Sequence, residues 1–123
     1  MKVIFESESV TFGVNFNDSQ TAKEIIQKLP LESTISIWGK EIYFDIGFKT
    51  SAQGATMDVS VGDVAYWPQG KCLCVFFGPT PASTTPKPVP ASPVVIVGKT
   101  SDTCDNLKDI KLGEKISVFL NGV

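Results

Sequence analysis

Residues 71–77 read "KCLCVFF", a run with no polar position after its first residue. Turn and exit signals bound it, "PQG" at 68–70 and "GPTP" at 78–81, so the run reads as one short strand. Successive strand residues point to opposite faces, which puts Cys72, Cys74 and Phe76 on one side and Leu73, Val75 and Phe77 on the other. Both sides are apolar, and both need cover. Parallel sheets obtain such cover from several crossover helices. This chain has one convincing helical pattern, so the sheet has to curl and cover itself, as the middle of a closed or capped barrel does.

The rest of the pattern agrees. Val10, Phe12, Val14 and Phe16 alternate with Thr11, Gly13 and Asn15, the period of a half-buried strand, and a polar turn near Glu6 to Ser9 separates them from "KVIF". "NDSQTAKEIIQKLP" is the one helix, expected over about residues 19–29. Ala22, Ile25, Ile26 and Leu29 form its apolar stripe and Pro30 ends it. Its start is open at this level: Asp18 has capping chemistry, and Thr21 with Glu24 has capping-box spacing. Two strand-like runs, holding Ile35 and Ile37 and then Ile42, Phe44 and Ile46, flank Gly39-Lys40. A polar loop follows at 49–56. "MDVSVGDVAYWP" alternates again, with a tight turn at Val61-Gly62-Asp63. Six of the eight prolines lie between Gly78 and Pro93, a stiff extended segment without regular structure. "PVVIVGK" resumes a buried strand, Cys104 to Asp109 suit a helical turn, and "KISVFL" closes the sheet. A single mainly β domain over 1–123 is expected, a small closed barrel with one principal helix.

Composition narrows the chemistry. There is no histidine and no arginine; all 11 basic residues are lysines. Histidine-based nucleophile arrangements are therefore absent, as is the planar fork that grips phosphates and carboxylates. The net charge of −2, with signs interspersed, argues against nucleic-acid or anionic-membrane partners. No apolar run approaches the roughly 18 residues of a membrane span, and "MKVIFESESV" lacks a signal-peptide pattern, so the expected location is cytoplasmic. Three cysteines, an odd number, fit reduced thiols. Cys72 and Cys74, alternate residues of one strand, are poorly placed for a disulfide, and Cys72, Cys74 and Cys104 lack metal-site spacing. No metal and no cofactor is expected.

The stretches "LPLESTISIWGKEIYF", "GDVAYWPQGKCLCVFFGPTPAS" and "PASPVVIVGK" resemble the small cyclophilin-like proteins of archaea and bacteria, in order and over nearly the whole chain. The resemblance implies a closed barrel with one main helix. It also brings in the prolyl isomerases, whose catalytic site pairs an apolar proline pocket with an arginine at the prolyl amide and a nearby histidine. This chain has neither residue type at any position, so only the pocket carries over.

A candidate pocket follows. Trp38, Glu41, Tyr43, Tyr66, Trp67, Phe77, Thr80 and Pro81 are the residues expected to line one concavity. Aromatic faces would give apolar contact, with the hydroxyl and the carboxylate fixing orientation. Alternation sends Tyr66 and Trp67 to opposite faces, so one of the two reaches it. The leading expectation is a binding module for a small molecule or peptide, without efficient isomerase activity. The alternatives are a divergent peptidyl-prolyl isomerase and a protein whose exposed aromatics make a homo-oligomer contact. The Pro-rich segment is a further candidate, as a ligand presented to another protein.

Overall fold

A computed structural model describes residues 1–101 and 104–122. The elements are β1 (Lys2–Ser7), β2 (Thr11–Phe16), α1 (Gln20–Gln27), β3 (Leu31–Thr34), β4 (Ser36–Ile37), β5 (Glu41–Asp45), β6 (Asp63–Trp67), β7 (Cys72–Phe76), β8 (Val95–Thr100) and β9 (Lys115–Leu120), with a 3-10 turn at Leu107–Asp109. The strands form one antiparallel sheet in the order β3-β9-β1-β2-β8-β6-β7-β5-β4. Its two edges, β3 and β4, are consecutive in the chain and only Ile35 separates them. Ile35 is buried, donates its N–H to Glu114 O (2.8 Å) and accepts from Gly113 N (2.9 Å), so the chain itself spans the seam. The result is a nearly closed barrel with one helix.

The inner face of every long strand supplies the main core. Phe5 lies at its centre, with ring centroids 5.3 Å from Phe12, 6.4 Å from Phe16 and 5.9 Å from Phe44, which ties β1, β2 and β5 together. Leu73 and Val75 of β7 belong to this core. Cys74 and Phe76 belong to a second, smaller one on the outside of the barrel, with Val59, Ala65 and Val94. The two-sided burial expected of β7 is thus met by two separate cores. The register between β6 and β8 shifts by one residue between Val64 and Ala65, a bulge that period-2 reading did not reveal.

The helix is shorter than the 19–29 expected: it starts one residue later, with neither candidate start used, and it ends at Gln27 with Lys28 as its C-cap. Ser19 caps it, accepting from Ala22 N at 3.1 Å. Glu24, instead of closing a capping box, accepts from the Ser51 amide at 2.9 Å and the Ser51 hydroxyl at 2.6 Å, while Thr21 donates to Ser51 O. A partner from the polar loop outcompetes the local bond and straps that loop to α1. Ala22 and Ile25 are buried beneath the helix, with Ile26 and Leu29 packed beside them. The alternation across 57–61 yields no strand. Val59 is buried while Met57 and Val61 stay exposed, and Thr56 alone makes a bridge, to Val94. Regular structure is absent from the Pro-rich segment, 79–93. No helix among the described residues is long and apolar enough to cross a membrane.

All three cysteines are free; Cys72 and Cys74 are buried and Cys104 is half-buried. Burial raises both strand thiols, Cys72 to about 11 with help from Asp45 and Glu41, and Cys74 well above the usual range. A thiol reagent should accordingly modify Cys104 first in the native protein, with Cys72 and Cys74 reacting only on unfolding; mass spectrometry of a timed reaction checks this order. Leu73→Ala, which removes a fully buried side chain from the main core, should destabilise the protein by about 2–5 kcal/mol in chemical denaturation.

Candidate functional site

The outer face of β5, β7 and β6 is where the barrel wall becomes a site. Glu41 and Tyr43 lie on β5, one strand over from Phe76 and Cys74 of β7, to which they are paired. Trp67 ends β6 on the same face, and its ring meets Tyr43 edge-on, 6.4 Å between centroids at an interplanar angle of 83°. Trp38 opens the two-residue turn between β4 and β5, closed by Trp38 N to Glu41 O (2.9 Å) and Glu41 N to Trp38 O (3.2 Å). Gly39 takes a φ of +62° at the first central position, which suits a hairpin turn matched to strand twist. A Cβ there would also stand 2.7 Å from Pro81 Cδ, so glycine is needed twice over.

The Pro-rich segment returns across this face and completes the site. Phe77 N donates to Lys40 O (2.9 Å) and Lys40 N to Pro79 O (3.0 Å), which locks the exit of β7 onto the hairpin turn. Thr80 is buried and organises the segment: its amide donates to Ser83 Oγ (3.0 Å) and its hydroxyl to Val89 O. Further along, Ser92 Oγ accepts from the Trp67 indole N–H at 2.6 Å, which fixes the ring. The space left between wall and segment is a concavity of about 210 Å3 lined by Trp38, Glu41, Tyr43, Trp67, Pro90, Ala91 and Val94.

Of the eight residues expected together, the concavity gathers Trp38, Glu41, Tyr43 and Trp67. Tyr66 points into the barrel, 1 % exposed, and its hydroxyl accepts from Thr50 N at 3.3 Å. Phe77 packs toward the main core. Thr80 has its hydroxyl engaged within its own segment, and Pro81 is exposed against the Gly39 turn. These four fall away because strand alternation and local loop bonding claim them. Sequence reasoning missed Pro90, Ala91 and Val94. Their proline and valine content was visible, but nothing local says that the segment folds back over β5.

Glu41 is the unusual member. It is 6 % exposed, and its Oε1 is the one buried side-chain nitrogen or oxygen among the described residues without a hydrogen-bond partner. Desolvation pushes its carboxyl up to about 7, against a smaller lowering by the Cys74 thiol. The lining holds this one carboxylate and no lysine, and the described residues contain no cluster of three or more histidine, cysteine, aspartate or glutamate side chains able to hold a metal. Chemically the arrangement offers apolar and aromatic contact around a single acceptor whose charge is in play near neutral pH.

A nearly closed antiparallel barrel with one helix, carrying an aromatic depression on its outer wall, makes this a small β-barrel protein. The chain belongs to the Cyclophilin-like family, whose model matches residues 1–119. It is similar to a hypothetical protein from Archaeoglobus fulgidus, solved in solution, at 35 % identity, with 97 % of this chain and 93 % of that chain covered and a TM-score of 0.83. No curated protein matches the chain.

The raised carboxyl has a consequence for stability. The folded state binds the Glu41 proton more tightly than the unfolded state, so its protonation favours folding below about pH 4.5, and that contribution is lost as pH rises through about 7. Glu41→Gln should therefore flatten the pH dependence between these values. The variant should gain on the wild type by on the order of 3 kcal/mol between pH 4 and pH 8, as read from urea midpoints at each pH.

Proposed function

We propose that this protein is a binding module that takes a small molecule or a peptide side chain in the Trp38–Tyr43–Trp67 concavity, without efficient prolyl isomerase activity. The observation that carries the reading is the buried, partnerless Oε1 of Glu41 in an otherwise apolar lining. Native structures seldom leave such a group unsatisfied, and a ligand donor would complete it. The walls are held in place before any ligand arrives: the Ser92 bond fixes Trp67, and the Thr80 bonds fix the segment that carries Pro90. Little ordering is then left to oppose binding.

The isomerase reading lacks support at its chemical step. Stabilising a rotating prolyl amide calls for a cation aimed at it, and the lining supplies a carboxylate in that neighbourhood. Lys40, next to Glu41 in the turn, lays its side chain over Gly78 instead.

Titration with a fragment library and with proline-containing peptides, followed by amide NMR, tests the proposal. Shifts should map to Trp38, Glu41, Tyr43, Trp67 and residues 90–94, and Trp38→Ala should weaken binding by about 2 kcal/mol. Shifts confined to other surfaces would overturn it. A proline-limited refolding reaction should run at its spontaneous rate in the presence of the protein; robust acceleration would restore the isomerase alternative.

A further inference from the structure

We infer that the ligand of this concavity is a small protonated alkylamine, which donates an N–H to the Glu41 carboxylate and rests its alkyl groups against Trp38, Tyr43 and Trp67. The inference deepens the binding reading above and rests on it.

Three features converge on that chemistry. The first is the under-satisfied acceptor: Oε1 is buried with no partner at hydrogen-bonding geometry, and the neighbouring Cys74 thiol is a weak donor, so the complementary group is a stronger donor. The second is charge. Taking a carboxylate out of water is unfavourable unless a cation accompanies it. No lysine lines the concavity, and the Pro90-Ala91 and Val94 side contributes no charge at all. The titratable groups that act on Glu41 are the Cys74 and Cys72 thiols of β7, neither of which brings a positive charge. At pH 8, where Glu41 is ionised, the compensating cation has to come from outside. The third is the wall. Tyr43 and Trp67 meet at 83° and form a corner, Trp38 adds a third aromatic side chain, and aromatic faces attract cations while still accepting alkyl groups. A neutral apolar ligand would satisfy the wall and leave Oε1 orphaned. An inorganic cation would satisfy the carboxylate but find no other charged oxygen in the lining. A space of about 210 Å3 holds a head group rather than a drug-sized molecule.

The probes are 2-(dimethylamino)ethanol, which is protonated at neutral pH, its neutral isostere 3-methylbutan-1-ol, and choline, which keeps the charge but has no ammonium N–H. Each is titrated into the whole protein at pH 8, with binding read from amide NMR shifts at Trp38, Tyr43 and Trp67. The protonated amine should bind about tenfold more tightly than the alcohol, with choline in between. Glu41→Gln should lower the amine's affinity about tenfold at pH 8 and abolish its rise between pH 6 and pH 8, with the dispersed amide spectrum of the variant reporting that it is folded. In the wild type, amine affinity should rise about tenfold from pH 6 to pH 8 as Glu41 ionises, whereas the alcohol's should not. Equal binding of amine and alcohol at these residues would overturn the amine inference and leave the binding module standing. Failure of both probes, with other fragments still mapping to the concavity, would do the same. If nothing maps there, both readings fall together.

Discussion

Because Cys72–Phe76 is buried at every position, β7 has to be dried from two sides, and much of the molecule is arranged around that requirement. From within, Leu73 and Val75 join a barrel core built around Phe5. From without, Cys74 and Phe76 are covered by chain that comes from elsewhere, Val59 on one side of β6 and Val94 at the end of the Pro-rich segment. A second layer of sheet or helix would serve equally well, but the described residues form one α-helix, and α1 is used on the main core. An irregular, proline-stiffened segment does the covering instead. Its backbone groups find partners in the Gly39 turn and in Thr80, which is how a loop can lie against a sheet without leaving polar groups stranded.

Such cover is incomplete at its edge, and the concavity lies where it stops. The contrast among carboxylates there is informative. Glu24 has both oxygens engaged by Ser51 and Gln20, and Glu114 has both engaged by Ser9 and Lys111. Each of those straps a loop, a structural role that needs no ligand. Glu41 is more deeply enclosed than either and holds an oxygen with no partner. Family membership identifies the barrel, and a barrel of this type hosts function only through the groups set on its wall. On this wall those groups are three aromatics and one acid.

Much of the architecture was legible in advance. The alternation of Phe12, Val14 and Phe16, the stripe of Ala22 and Ile25, and the turns at Gly39, Gly62 and Pro68 are local signals, and local geometry answers them directly. Where reading failed, a non-local partner had intervened. Ser51 drew Glu24 away from the capping box, and the outer core used Val59 without making 57–61 a strand. The β8 bulge likewise left no mark in a period-2 pattern.

The site divides along the same line. Sequence alone established that Tyr66 and Trp67 face opposite ways and that no arginine or histidine was available for chemistry. Alternation relates neighbours along one strand, so these statements need no fold. It cannot say which face of an all-apolar strand turns inward, because no polar residue marks the outside. Tertiary structure decided that Tyr66 enters the barrel and Trp67 the concavity. It also decided that Glu41 is enclosed rather than solvated, and that Pro90, Ala91 and Val94 form the opposite wall. Those outcomes depend on where a segment some fifty residues away in the chain returns to the surface of β5, and that is set by packing across the fold, not by spacing along it.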